Sequence, residues 1–354
     1  MSRRTLGRDV SPAWQVHTDK FDPHPALDER LRVVYGSRVD HYNANALKIG
    51  RTPMPPGKSS RFINHVTLTS HNGSTTELVE KGVEGDSPEL SFWSEAGAGE
   101  PVLEGSSFRA VRPGEIVRCG PLSVLYFPYL RALDRDRQVL RQDFKANATA
   151  IVEGVAEFNG RNTLLSGESG GIAGHLLSAP RPTVVEIQRR MDVDIEVARD
   201  LLRSFNRVQD MWQEIEGAYA DLPRCLSHND ISPGNAVYVD NKATFIDFGL
   251  AGPAPVGSDL HTVLRWSGKA LYNPSYAEAL LNSYVAALRL HYAAVQTADV
   301  RLAAWTTFYL RYTNLKFSSA RYERTFRLAL DRMTSLIGQL GDGPPGPSGS
   351  THER

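Results

Sequence analysis

From residue 46 to about 130, apolar and polar positions alternate in short runs, the period of half-buried strands. "FINHVTLTS" and "TTELVEKGV" flank "HNGS", in which Asn72 and Gly73 are hairpin turn residues. The apolar run "LSVLYFPYL" at 122–130 reads as a buried strand that leaves into a linker. Beyond 135 the period lengthens. In "DRQVLRQDFKANATAIVEGVAEFNG", Leu140, Phe144, Ala148, Ile151 and Val155 recur at three- and four-residue spacing, as on one face of a helix. "DIEVARDLLRSFNRVQDMWQEIEGAYADL" repeats the pattern with Val197, Leu201, Phe205, Val208 and Trp212, and nearly all of 259–340 reads as helix. The expected fold class is α+β, a small β-rich N-terminal lobe and a larger helical C-terminal lobe, with a ligand cleft at their junction. The expected boundaries are an N-terminal extension at 1–40, with a short helix near "ALDERLRVVYG", lobes at 41–130 and 131–340, and a disordered Gly, Pro and Ser-rich tail at 341–354.

Composition narrows the function classes. Forty basic and forty acidic side chains among 354 residues give formal neutrality, so no nucleic-acid partner held by bulk charge is expected. Cys119 and Cys225 are too few for a disulfide scaffold. No apolar run approaches membrane-spanning length, so the expectation is a soluble cytoplasmic protein with no membrane partner.

The chemistry concentrates after residue 226. In "AVYVDNKATFIDFGLA" two β-rich runs flank Asp240, Asn241 and Lys242, a hairpin signal. A three-residue loop pairs Val239 with Ala243 and sets Asn235 opposite Asp247; a two-residue loop slips the register by one and leaves both at the same open end. An amide and a carboxylate oxygen then converge, a donor pair suited to Mg²⁺. Asp230, in "SHNDISPGN", enters the hairpin on a loop that places it to orient or deprotonate a hydroxyl beside the metal.

His228-x-Asp230-x4-Asn235 followed by Asp247-Phe248-Gly249 resembles the catalytic loop and metal motif of the aminoglycoside phosphotransferase and choline kinase group. That resemblance implies a two-lobed protein-kinase-like fold, with a nucleotide-binding N-lobe and a catalytic, acceptor-binding C-lobe. It also implies ATP and Mg²⁺ as cofactors and a small-molecule hydroxyl acceptor. Asp230 would be the catalytic base, Asn235 and Asp247 the metal ligands, and His228 a supporting residue. Asp259 reads either as an N-cap for the helix that follows or, by the resemblance, as the residue that steadies the catalytic loop. Asn229 stands where the group has Gly and protein kinases have Arg, a departure without a sequence explanation.

In the N-lobe the resemblance assigns Lys81, at the end of "TTELVEKGV", to the nucleotide phosphates, held by Glu89 in preference to Glu95. The alternative for Lys81 is a solubilising charge on an edge strand. "IGRTPMPPGKSSRF" occupies the phosphate-covering position without a G-x-G-x-x-G, and Ser59 or Ser60 there is a candidate phosphate contact. A P-loop reading of "PGKSS" fails because Thr52 stands where Gly is required and a strand, not a helix, follows. Tyr126 or Phe127 would offer apolar surface to the adenine. Acidic and basic residues nearly balance over 151–345, which favours a neutral or zwitterionic acceptor, and some of Arg265, Trp266, Tyr272, Trp305, Tyr309, Arg311 and Tyr312 are expected to line its site. The alternative functions are a protein Ser/Thr kinase, for which the segment between Asp247 and Asp259 is short, and a catalytically inactive nucleotide-binding scaffold. The oligomeric state is not legible.

Overall fold

The structure, a computed structural model, describes residues 24–39, 47–55, 60–94, 101–164, 182–270, 273–312 and 320–341. The tail beyond 341 and the first 23 residues lie outside the described residues. The chain is mixed α+β and divides into two compact units, Met1–Leu90 with Pro113–Tyr129, and Ser91–Arg112 with Leu130–Arg354.

The first unit is an antiparallel sheet of β1 (Lys48–Met54), β2 (Phe62–Thr69), β3 (Thr75–Glu84), β5 (Glu115–Cys119) and β6 (Leu122–Pro128), ordered β1-β2-β3-β6-β5. The β2–β3 hairpin turns where expected, with Gly73 at φ 82° and Ser70 N–H donating to Ser74 O at 2.9 Å. The helix α1 (His24–Val39) joins this sheet: Leu27, Leu31 and Tyr35 share one buried cluster with Val66, Leu68, Leu78, Val124 and Tyr126. The face beneath α1 carries a buried charge. Glu80, with no exposed surface, accepts from Arg51 Nε at 2.9 Å, Asn64 Nδ2 at 2.8 Å and Tyr126 Oη at 2.8 Å, while Arg51 Nη1 reaches Asp28 of α1 at 2.5 Å. Burial alone would weaken the Arg51 charge, but hydrogen bonds and attraction from Glu80 and Asp28 outweigh it and raise its pKa. The short helix α2 (Pro88–Ser94) follows β3, and the boundary between the units falls within it.

The second unit is mainly helical. It contains α3 (Arg137–Ala146), α4 (Ala148–Arg161), α5 (Val184–Met191), α6 (Ile195–Asp210), α7 (Trp212–Ala220), α8 (Leu260–Trp266), α9 (Pro274–Arg289), α10 (Thr297–Tyr312) and α11 (Ala320–Gly341). Each of the two long periodic stretches is split. Asn147 (φ −105°) leaves helical geometry and folds its amide back onto Asp143 O at 2.9 Å, and Met211 (φ −95°) separates α6 from α7. The apolar stripe survives both breaks, so the periodicity located the core face and not the helix ends. β4 (Phe108–Ala110), β10 (Lys242–Phe245) and β9 (Ala236–Val239) form one small sheet, and β11 (Gly252–Pro255), β8 (Arg224–Ser227) and β7 (Thr163–Leu164) another.

Helix α4 is the axis of this unit. Gly154 lets it approach β10, because a Cβ there would stand 2.5 Å from that of Ala243. Near its C-terminal end Glu157, 2% exposed, ties down the loop before β4. Its carboxylate accepts from Ser106 N at 3.0 Å, Ser107 N at 2.7 Å, both serine hydroxyls, and Arg161 Nε at 2.8 Å. Burial would raise its pKa, yet the hydrogen bonds from Ser107 and Ser106 hold it down at about 2. A carboxyl lowered in the folded state contributes stability that is complete above its ordinary value of 4.5 and is lost as pH falls through about 2. Glu157→Gln should therefore cost about 1–3 kcal/mol in urea unfolding at neutral pH, and the gap from the parent should close as pH falls from 4.5 towards 2. A gap that stays constant over that window would refute this account.

Candidate active site

β8 delivers the chain into a loop, 228–235, that returns through the β9–β10 hairpin. The hairpin loop has two residues: Val239 pairs with Lys242, and Asp240 (φ 52°) and Asn241 (φ 60°) both take the left-handed conformation that such a turn requires. The three-residue register is thereby corrected. Ile246 N–H donates to Asn235 O at 2.9 Å, so Asn235 lies opposite Ile246 and Asp247 stands one place beyond, at the same open end of the hairpin.

The loop is bound at every step. Ser232 N–H donates to Asp230 O and Asn235 N–H to Ser232 O, each at 2.9 Å, and fully buried Ile231 pins the loop to the core. The Asn235 amide donates from Nδ2 to Asp230 Oδ2 at 2.9 Å. With its nitrogen spent on Asp230, its oxygen is the donor atom left for a cation. Among the described residues no group of three or more His, Cys, Asp or Glu side chains forms a metal cage. One carboxylate, one amide oxygen and ligands from phosphate and water suit a hard divalent cation such as Mg²⁺.

His228 is fully buried and supports the loop from within. Its Nδ1 accepts from Asp230 N–H at 3.3 Å, which puts the ring proton on Nε2, 2.8 Å from Ile246 O. The ring also lies 4.6 Å from that of Phe248, which packs against Phe92 at 5.0 Å and Trp93 at 5.2 Å. Phe248 thus seats Asp247, itself at φ 61°. Asp259 makes no side-chain cap to α8, which corrects the N-cap reading. Its buried carboxylate accepts from His228 N–H at 3.1 Å, Asn229 N–H at 2.6 Å and Asn159 Nδ2 at 3.1 Å.

Asn229 now has a physical account. Its φ is 63°, a conformation that Gly adopts freely and Asn better than most residues. The buried side chain donates to Leu250 O at 3.0 Å, joining the loop to the segment after Phe248. Sequence reasoning also missed Asn159 and Tyr284. Tyr284 Oη donates to Asn159 Oδ1 at 2.7 Å, and Asn159 passes its amide protons to Leu226 O at 2.9 Å and to Asp259. An Asn on the apolar face near the C-terminal end of α4 is the available signal.

In the first unit, Lys81 Nζ meets Glu89 Oε2 at 2.6 Å, both largely buried. Lys81 therefore is no solubilising edge charge: β3 is central, between β2 and β6. Pairing of Lys81 with Leu125 and of Val79 with Phe127 sets Lys81 and half-buried Phe127 on the same face of the sheet. Tyr126 points to the other face, fully buried against Glu80, and is removed as an adenine contact. Ser59 and Glu95 lie outside the described residues, whereas Ser60 is described and buried. Trp305 and Tyr309 belong to the core, Tyr272 lies outside the described residues, and Trp266 is half-buried.

No match is found among curated proteins. Among solved structures, choline kinase from Cryptosporidium parvum Iowa II superposes with a TM-score of 0.53 at 13% identity, over 89% of this chain and 97% of that one. A microcompartment-associated aminopropanol kinase gives 0.48 at 14% identity, over 90% and 98%. An aminoglycoside phosphotransferase from Streptomyces rimosus ATCC10970 gives 0.39 at 16%, over 87% and 98%. At this identity the likeness to the choline kinase is one of fold. The phosphotransferase enzyme family, by contrast, matches the sequence itself over residues 113–297. That match covers more than half of the chain and contains the whole segment from His228 to Asp259, so the chain belongs to the phosphotransferase enzyme family, as those residues led us to expect.

Proposed function

We propose that this small-molecule kinase moves the γ-phosphoryl group of ATP to a hydroxyl of a small molecule, an antibiotic, amino alcohol, sugar or nucleoside. The observation that carries the reading is the fixed carboxylate of Asp230, held by the Asn235 amide on a loop whose backbone is pinned by Asp259. The acceptor hydroxyl oxygen bonds the γ-phosphorus as the bond to ADP breaks, and Asp230 takes the hydroxyl proton. Asn235 and Asp247 would hold Mg²⁺, which would supply charge neutralisation on the phosphates. Lys81, oriented by Glu89, meets the α- and β-phosphates, and Phe127, on the Lys81 face of the sheet, offers apolar surface to the base. Ser59 is proposed as a phosphate contact from its place in the sequence alone. The first unit thus supplies nucleotide binding, and the second supplies the base, the metal ligands and the acceptor site. His228 takes no proton in this scheme, because both its ring nitrogens are engaged by the backbone.

Removing a general base typically costs about 10²–10⁴ in rate. Asp230→Asn should lower ADP release in the presence of acceptor by about that factor and leave ATP binding, read by thermal shift, nearly intact; wild-type turnover in this variant would sink the assignment. Lys81→Met should instead weaken nucleotide binding, by about ten-fold or more for a charge-assisted contact. Unchanged ATP affinity would remove Lys81 from the site. At position 229, Gly keeps the backbone conformation and loses only the amide contacts, about 1 kcal/mol, whereas Ala adds a left-handed penalty of about 1–2 kcal/mol. Stability in urea should rank parent, Asn229→Gly, then Asn229→Ala, and an Ala variant as stable as the Gly variant would contradict this.

A further inference from the structure

Two elements of the second unit bring arginines onto two aromatic rings, and a third sets an arginine against the loop that carries Asp230. The guanidinium of Arg141, from α3, lies 5.3 Å from the Trp266 ring centroid. That of Arg265, from α8, lies 5.2 Å from the same ring and 4.5 Å from that of Tyr312. Arg311, the residue before Tyr312 on α10, donates from Nη2 to the carbonyl of Asn229 at 3.1 Å, one residue ahead of Asp230. Its Nε is buried with no hydrogen-bond partner, and among the described residues neither Arg311 nor Arg141 forms an ion pair.

Two acids of the surrounding elements, Asp143 and Asp259, are committed elsewhere. Asp143 of α3 pairs with Arg135 at 2.5 Å, and Asp259, at the head of α8, is saturated by the catalytic loop. Asp299 stands in the first turn of α10, at the far end from Arg311. The charges of two of these arginines reach their neighbours. Buried His261 is pulled down to about 3, first by burial and then by the charges of Arg311 and Arg265. Tyr312 feels both of those arginines and also the negative charge of Asp230, so base and cations share one neighbourhood.

A half-buried guanidinium with an unused donor and no carboxylate partner is costly unless an anion is recruited, and the planar fork of Arg is suited to oxyanions. Resting on the phosphotransfer reading, we propose that the acceptor carries a carboxylate or another oxyanion, which Arg311 binds with Arg265 and Arg141 around Trp266 and Tyr312 while the acceptor hydroxyl faces Asp230. A purely cationic acceptor meets repulsion at the same place. A hydroxy acid, or a zwitterion with its acidic end towards Arg311, fits.

The test uses probe pairs that differ by a carboxylate: L-serine against ethanolamine, D-glycerate against glycerol, and D-gluconate against D-glucitol. Calorimetry on the full chain with ADP and Mg²⁺ reads binding, and ADP release with ATP reads transfer. At least one acid should bind about ten-fold or more tightly than its partner, and Arg311→Gln should erase that ratio while changing the partner's binding less than about two-fold. Arg311→Lys, which keeps the charge, should restore part of the ratio. Equal binding within every pair, binding of no acid, preference for ethanolamine, or a ratio that survives Arg311→Gln overturns the proposal. So does a parallel loss of both members in Arg311→Gln, the signature of a merely structural contact. A parent chain that binds no ATP overturns the phosphotransfer reading and this inference with it, whereas one that turns over ATP without discriminating the pairs overturns the inference alone.

Discussion

The second unit turns on one buried carboxylate. Asp259 has no exposed surface, and three donors converge on it: the backbone N–H groups of His228 and Asn229 and the amide of Asn159. A buried anion is tolerable only when its lone pairs are satisfied, and those N–H groups would themselves be unpaired without it. The dependence is mutual. Since Asn159 also grips Leu226 O and is gripped by Tyr284, helices α4 and α9 hold the end of β8 and the start of the loop as one body. The start of the loop is thus set by residues remote from it in sequence.

The first unit solves a similar problem with neighbouring residues on opposite faces. Glu80 and Lys81 are adjacent on β3, and the strand's two-residue period sends them apart. Glu80 goes beneath α1, where Arg51, Asn64 and Tyr126 satisfy it and Asp28 adds a second anchor for Arg51. Lys81 goes to the other face and meets Glu89. A one-residue slip of β3 would exchange the two, burying the lysine beneath α1 and taking the glutamate from its donors. The Glu80 network therefore fixes the strand register on which the placement of Lys81 depends.

Period and turn chemistry made the fold class readable, because apolar spacing reports directly which face is buried. Boundaries were less readable. Asn147 and Met211 interrupt helices whose apolar stripe runs on across the break, and the periodicity carries no trace of it. The β9–β10 loop length was ambiguous for a different reason: Asp240, Asn241 and Lys242 are all good loop residues, and only the left-handed dihedrals of the first two decide between registers. His228, Asp230, Asn235 and Asp247 were legible as candidates because their spacing is local in sequence. Their supports were not, since Asn159 and Tyr284 are remote along the chain and reach the loop only through the packing of α4 and α9. Asn229 looked anomalous only until its φ was known.

Formal neutrality concealed how differently the two signs of charge are used. Glu80, Glu157 and Asp259 are buried and occupied by backbone and side-chain donors. Carboxylates consumed in this way organise the interior and lend little negative potential to the surface, because their charge is already compensated by the dipoles and cations that hold them. Arg141 and Arg311 are disposed otherwise, against an aromatic face and a carbonyl oxygen. Contacts of that kind orient a guanidinium without neutralising it. A chain with equal numbers of acids and bases can thus be electropositive at one place, and a count along the sequence cannot reveal it, because what matters is which carboxylates have been withdrawn into the core.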